Sequence, residues 1–389
     1  TANMAESITQ FSLVPIALFV MMGEVLIHTG VAFRAIAAIE RLIAAIPGRL
    51  SVVGVLGGTA FATLSGSSLA NTAMMGSTLL PDMLERGYNK SIAMGPLMAT
   101  GGIAMLIPPS ALAVMLGSLA HISIERLLIG GVLPGLIMGL VFLLYVVGRC
   151  ALDPTLAPAE KQAPVHGWAR WRPFVVDVLP LFSIFVVVVG SMIMGWASPS
   201  ESAALGAIAC IIIAACYRAL TLRTLAKSLT ETAKVSVMIL FILVASTTYS
   251  QILSFSGATS GLLAAVGQYE LTPMIAVLGM LAILIFLGCF VDQISMIMIT
   301  LPFFMPLAQS LGIDLVWLGI LFLVVMEIGL LTPPFGLLLV VMQGVAPKGT
   351  RFVEVYRAAL PFLALEFLVL ALVIVFPGLA TWLPSLIPS

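Results

Sequence analysis

The chain has 389 residues, of which 61% are hydrophobic and only 9% charged, and its mean hydropathy is +1.19. A soluble domain carries about 25% charged residues, so this surface is not built for water, and the composition excludes an ordinary soluble enzyme or binding module. The 17 basic and 17 acidic residues cancel, which leaves no bulk charge to hold nucleic acid or an acidic partner.

Residues 1–10 carry neither the basic start nor the small-residue cleavage site of a signal peptide, and the chain opens on Thr1 rather than Met, so a native start upstream is expected. The stretch 11–28 reads as a first membrane span, and 31–46, with Arg34, Glu40 and Arg41, as an amphipathic arm along the interface. Residues 50–65 and 68–81 are each too short to cross comfortably. They meet at Ser65-Gly66-Ser67-Ser68, which predicts a re-entrant helical hairpin with a polar tip. A span over 91–120 is interrupted by Pro108-Pro109 and must break there. After a span at 127–148, residues 149–173 form the one long polar loop and the boundary between two halves. Spans at 174–196, 202–217 and 235–253 and a second arm at 257–269 follow. A second hairpin, 273–291 with 293–306, meets at Asp292-Gln293. A span over 314–345 breaks at Pro333-Pro334, and 355–376 is the last.

The two double prolines are 225 residues apart, and the same offset relates Pro81 to Pro306, Gly87 to Gly312, Ile103 to Ile328, Leu112 to Leu337 and Ser67 to Asp292. A repeat follows, with residues 49–120 and 274–345 as its two copies. The extra span at 174–196 turns the second copy over, giving the inverted-topology repeats found in many secondary transporters. The counterpart of 202–217 would lie before Thr1. On this topology every basic residue except Arg126 falls on one side, the cytoplasmic side by the positive-inside rule, and the C-terminus lies opposite. The fold class read from the sequence is therefore an all-α polytopic membrane protein with two inverted repeats. Its divisions are a scaffold helix and arm (1–48), the first hairpin with its broken helix (49–120), and scaffold helices, loop and second arm (121–272). The second hairpin with its broken helix (273–346) and a C-terminal scaffold helix (347–389) complete it.

Non-helical backbone at membrane depth must be buried in protein or line a polar cavity. Helix N-termini at hairpin tips offer free N–H groups and positive dipole ends to an anion, while unwound carbonyls and hydroxyls suit a hard cation. The substrate-binding candidates are Ser65, Ser67, Ser68, Asn71, Asp292, Gln293 and Ser295. The candidates for Na⁺ are Gly66, Ser67, Ser68, Thr100, Gly101, Gly102 and Pro108 in the first half, and Asp292, Glu327, Thr332 and Pro333 in the second. Each has a plainer reading: Ser-Gly-Ser-Ser as a close helix crossing, Pro-Pro as a kink, Asp292 as a helix cap, and Glu327 as a structural carboxylate. No Lys or Arg lies among them. The cysteines Cys150, Cys210, Cys216 and Cys289 form no CxxC pair and read as packed thiols. His28, His121 and His166 have no partner at metal-ligand spacing and read as interfacial. With no nucleophile–base set either, neither a transition metal nor an enzyme is expected.

These residues resemble the large membrane subunit, the DctM-type permease, of the tripartite ATP-independent periplasmic (TRAP) transporters. The resemblance rests on Gly23-Glu24, Ser65-Gly66-Ser67-Ser68, Leu80-Pro81 to Gly87-Tyr88, Ile107-Pro108-Pro109-Ser110, Gly131 to Pro134-Gly135, Asp292-Gln293 before Leu301-Pro302, and the run Glu327 to Gly336. It implies an elevator mechanism, Na⁺ ions as coupling ions with no organic cofactor, a small four-helix membrane subunit, and a periplasmic substrate-binding protein. It further implies a small organic-acid substrate such as a C4-dicarboxylate, sugar acid or sialic acid, and a place in the lipid bilayer of a bacterial cytoplasmic membrane. The family's first helix has no counterpart after Thr1, and no small-subunit sequence is fused to the chain. The alternative is a self-sufficient Na⁺/dicarboxylate symporter of the divalent-anion type, which shares the two-hairpin logic.

Overall fold

The computed structural model describes residues 13–43, 46–158, 168–257, 261 and 272–387, which are helical with short turns and, among the described residues, without a strand. The calls on residues 1–10, on the arm at 257–269 and on His166 lie largely or wholly outside the described residues. Helix α1 (Val14–Thr29) turns by 70° at Gly30 into α2 (Val31–Leu42), the first arm. The first hairpin is α3 (Arg49–Ser65) and α4 (Ser68–Glu85). The first broken helix is α5 (Lys90–Ala99), a tight 3₁₀ turn at Thr100–Gly102, α6 (Ile103–Leu106) and, beyond the prolines, α7 (Ala111–Leu119). The long α8 (Ile124–Leu152) leads to α9 (Trp168–Pro173), which continues through a π turn into α10 (Leu179–Ile193). Next come α11 (Pro199–Cys216) and α12 (Leu222–Phe255). The second hairpin is α13 (Pro273–Gly288) with α14 (Gln293–Ser310), and the second broken helix is α15 (Leu315–Leu331) with α16 (Leu337–Val345). The chain closes with α17 (Phe352–Val375) and a short α18 (Gly378–Thr381).

Six of these helices are long and apolar enough to cross a membrane alone, and eight spans result if each of two bent pairs counts as one. The predicted repeat reappears in the boundaries: α4 and α14 are offset by 225 residues at both ends, as are the start of α5 with that of α15 and the end of α6 with that of α15.

Two expectations are corrected. The second arms of the hairpins run past Pro81 and Pro306, to Glu85 and Ser310, because each proline lies inside the helix instead of ending it. A proline removes one hydrogen bond and kinks a helix, which packed neighbours can absorb. Glu327 does not stand in unwound backbone, since α15 stays helical to Leu331 and only Thr332–Gly336 breaks. Among the thiols, Cys150 and Cys210 are buried as expected, Cys289 is half-buried, and Cys216 is exposed at the last residue of α11.

Ion pairs hold a charged end of the fold together. Both ends of the first hairpin return to it, for Arg49 Nη2 lies 2.6 Å from Glu40 Oε1 and Arg86 Nη1 lies 4.0 Å from the same oxygen. The hairpin therefore enters and leaves on one side. Arg34 joins Asp177 at 2.9 Å and stacks on the Tyr217 ring at 4.6 Å, and Lys90 joins Glu354 at 3.0 Å. The C-terminal turns pack instead at the start of α8, where a Cβ on Gly130 would stand 2.7 Å from the Ala380 carbonyl.

At the centre stands α15, apolar on every side but for Glu327 and buried from Trp317 to Leu331, as a helix without a broad polar face must be. It packs against α6, α8, α13 and α17. Helix α17, grouped with the scaffold in the sequence reading, lays its buried face along α5, with Phe362 against Gly95 and between Phe142 and Tyr145 of α8. Helices α10, α11 and α12 leave Phe182, Ile208 and Phe241 exposed, apolar faces suited to lipid or another membrane chain.

Arg49 is 5% exposed and holds both the carboxylate and the backbone carbonyl of Glu40. Removing one partner of a buried pair costs about 3–5 kcal/mol. Arg49→Met should therefore lower the melting temperature of the purified protein markedly, and an unchanged melting curve would show that the hairpin does not depend on this anchor.

Candidate functional site

The first tip forms because Gly66 ends α3 in the left-handed region (φ 61°), where a side chain is strained. Ser67 then extends and caps α4, its Oγ accepting from the Ala70 N–H at 3.3 Å. Three neighbours hold this tip. Helix α1 reaches it at Gly23, where a Cβ would fall on the Ser65 carbonyl. The proline break reaches it too, since a Cβ on Gly66 would lie 3.1 Å from the Pro109 oxygen. The 3₁₀ turn reaches it at Gly101, where a Cβ would lie 2.9 Å from both the Ser68 carbonyl and the Thr72 hydroxyl. Buried Asn71 ties the layers, its amide donating to the Gly58 carbonyl at 3.2 Å and accepting from the Gly101 N–H at 3.1 Å. Thr100 is buried and donates to the Pro96 carbonyl at 2.9 Å.

The second tip is built alike. Asp292 caps α14, one oxygen accepting from the N–H groups of Ile294 (3.0 Å) and Ser295 (3.2 Å), the other from the Ser295 hydroxyl at 2.5 Å. The carboxylate is thus met by donors, and the repeat-equivalent Ser67 and Asp292 do the same local work. The Phe335 N–H donates to the Cys289 carbonyl at 3.3 Å, joining the tip to its broken helix. Thr332 donates to the Ile328 carbonyl at 2.6 Å, and Gln293 is buried beside the cap.

The structure thus gathers Ser65, Gly66, Ser67, Ser68, Asn71, Thr100, Gly101 and the Pro108-Pro109 segment into one cluster, and Asp292, Gln293 and Ser295 into another, at the tip that Cys289 joins to Phe335 in the Thr332–Gly336 break. Gly102 faces elsewhere: a Cβ there would coincide with the carboxylate of Glu327. Those two residues are themselves 225 apart, so the halves touch at equivalent positions. One residue escaped the sequence reading. Glu366, on α17, is fully buried, and neither of its oxygens has a hydrogen-bond partner among the described residues. Its signal was a lone carboxylate in the middle of the apolar stretch 355–376.

Chemically, the first cluster offers hydroxyls of Ser65, Ser67, Ser68 and Thr100 and carbonyls of Ser65, Ser68 and Pro109. An all-oxygen set fits a hard cation. Among the described residues no three His, Cys, Asp or Glu side chains converge on a metal position. His28 sits 3.2 Å from Glu24 one turn away, and His121 stands exposed in a left-handed turn (φ 55°). An apolar cavity of about 310 Å³ lies where α2, α3, α8 and α10 meet, lined by Ile39, Val55, Thr59, Gly139 and Phe185.

Residues 1–379 match the family model described as "Tripartite ATP-independent periplasmic transporter, DctM component". The chain is 32% identical over 384 residues to the C4-dicarboxylate TRAP transporter large permease protein DctM of Pseudomonas aeruginosa, covering 98% of this chain and 88% of that one. It is 31% identical over 390 residues to the ectoine/5-hydroxyectoine TRAP transporter large permease protein UehC of Ruegeria pomeroyi, covering 99% and 88%. Among solved structures it is similar in fold to the YdaH transporter of Alcanivorax borkumensis, with a TM-score of 0.67, 14% identity, and coverage of 99% and 89%.

The capping geometry makes Asp292 separable into shape and charge. Asn caps as well as Asp, whereas Ala loses about 0.5–2 kcal/mol at such a position. Thermal unfolding of the purified protein should place Asp292→Asn close to the parent and Asp292→Ala several degrees below it. Equal stability of the two variants would remove the cap from the account of the tip.

Proposed function

Because the chain belongs to the DctM family of tripartite ATP-independent periplasmic transporter subunits, we propose that it is the permease through which an organic acid, delivered by a periplasmic binding protein, is imported with Na⁺. The observation that carries this reading is the pair of repeat-equivalent helix N-termini, capped by Ser67 and Asp292, beside all-oxygen clusters that contain no basic side chain. An anionic substrate has there only dipoles, N–H groups, hydroxyls and bound cations to hold it.

Ser65, Ser67, Ser68 and Asn71 on one side, and Asp292, Gln293 and Ser295 on the other, line the substrate in this reading. One Na⁺ is held by the backbone and hydroxyls of Gly66, Ser67, Ser68, Thr100, Gly101 and Pro108. A second is held around Thr332 and Pro333, with Asp292 supplying the negative charge that its capping role leaves in place. The ions supply positive charge that the side chains lack. Both hairpins and both broken helices move as one body, accompanied by α8 and α17, which pack along them. The exposed faces of α10, α11 and α12 receive the small four-helix subunit and lipid. The ion-paired end faces the cytoplasm and the C-terminus the periplasm of a bacterial inner membrane. Relatives named for C4-dicarboxylate and for ectoine leave the individual acid to the binding protein.

The test is uptake of a C4-dicarboxylate into liposomes holding this chain, its small subunit and an added binding protein. An inward Na⁺ gradient should drive uptake, and choline in place of Na⁺ should reduce it at least about tenfold, which corresponds to 1.4 kcal/mol of coupling. Asp292→Asn should raise the Na⁺ concentration needed for half-maximal uptake. Undiminished uptake in choline would overturn the Na⁺ coupling, and equal uptake without the binding protein would favour a self-sufficient symporter.

A further inference from the structure

Glu327 and Glu366 come from different helices, α15 and α17, and both are fully buried. None of their four carboxylate oxygens has a hydrogen-bond partner among the described residues. Helix α17 runs beside α5 in a register fixed by Lys90 with Glu354 and Gly95 with Phe362, which brings Glu366 to about the level of Gly102, where the Glu327 carboxylate lies. The surroundings account for the lack of partners. Helices α6, α7, α13, α16 and α18 carry no titratable side chain. Those on α8 stand near its ends, as Glu125 and Arg126 at the start and Tyr145, Arg149 and Cys150 toward the finish. Lys90 of α5 is taken by Glu354 at the start of α17, beside Tyr356 and Arg357, while Asp292 and Asp314 cap the starts of α14 and α15.

A carboxylate in the membrane interior is costly and is ordinarily answered by a partner. Two on packed helices, without a donor or a basic residue among the described neighbours, call for a positive ligand. The backbone makes room for such an arrangement, because the Glu327 carboxylate occupies the space that a side chain at position 102 would need. That contact is made at the last residue of the 3₁₀ turn, and the residue before it, Gly101, touches the first hairpin tip at Ser68, so a ligand on the pair borders the candidate site without being part of it.

We propose that Glu327 and Glu366 form a separate alkali-cation site in the core of the protein, with their carboxylate oxygens as ligands and Glu366 as its defining residue. Oxygen ligands and a net negative charge select a hard cation, and the ion the proposed function already requires is Na⁺. The inference rests on that reading for the identity of the ion. It differs from it in place, for it adds a site behind the broken helices to the two at the hairpin tips.

The experiment is equilibrium binding of radioactive Na⁺ to the purified complex of this chain with its small subunit, comparing the parent with Glu366→Gln and Glu327→Gln. Gln keeps the shape and removes the charge, so both variants should unfold no earlier than the parent in Na⁺-free medium. Each should bind one Na⁺ fewer per permease than the parent. The protection that Na⁺ gives against thermal unfolding should shrink in the same variants. If the parent binds Na⁺ and Glu366→Gln binds the same number with the same affinity, the proposal fails while the Na⁺-coupled reading stands. A carbonyl stretch of a protonated carboxyl in the infrared spectrum of the Na⁺-saturated parent, lost in Glu366→Gln, would overturn it in favour of protons on the pair. Absence of any Na⁺ binding to the parent would overturn both readings.

Discussion

The structure depends on one constraint, that a backbone polar group at membrane depth must find a partner because no water is there to supply one. Continuous helices meet it alone. The departures from a helix at the two tips are met by neighbouring elements. The first tip lies between α1, the 3₁₀ turn and the Pro108-Pro109 break, and the second tip hands its Cys289 carbonyl to the Phe335 N–H. At three of the four gaps the residue that restarts the helix, Ser67, Ser110 or Asp292, accepts from the orphan N–H groups there. Polar side chains at the tips thus answer first to the backbone, and whatever chemistry they perform for a ligand is added to that duty.

The same constraint explains where small residues stand. Gly23 lets α1 press on the Ser65 backbone, Gly101 lets the 3₁₀ turn press on Ser68, and Gly102 leaves space for a carboxylate. In a bilayer such approaches replace the hydrophobic driving force, which lipid does not provide between helices. The charged end follows another rule. Arg49, Arg86 and Lys90 find Glu40, Asp82 and Glu354, and a network of this kind anchors the ends of the hairpin while its tip is held by packing.

The sequence reading met its limits at particular residues. The apolar pattern ends the second hairpin arms at Pro81 and Pro306, yet both helices run past them with the proline inside. Glu327 stands in the sequence among the Na⁺ candidates beside the Pro333-Pro334 break, whereas α15 remains helical to Leu331. Glu366 lies in a stretch whose apolar length reads simply as the last membrane span, and only the packing of α17 on α5, α8 and α15 turns that position inward.

What the sequence determined by itself was the membrane class, the two hairpins, the two breaks and the 225-residue offset, since all of these rest on local signals: apolar length, Ser-Gly and Pro-Pro interruptions, and the spacing between them. The tertiary structure alone decided which interruptions touch, that Ser67 and Asp292 spend their side chains on capping, and that Glu327 meets Gly102 with Glu366 at about the same level. Contacts between residues hundreds of positions apart depend on the angle and rotation at which helices cross. In an apolar chain, where nearly every helix face is equally hydrophobic, the pattern of residues carries almost no information about that rotation.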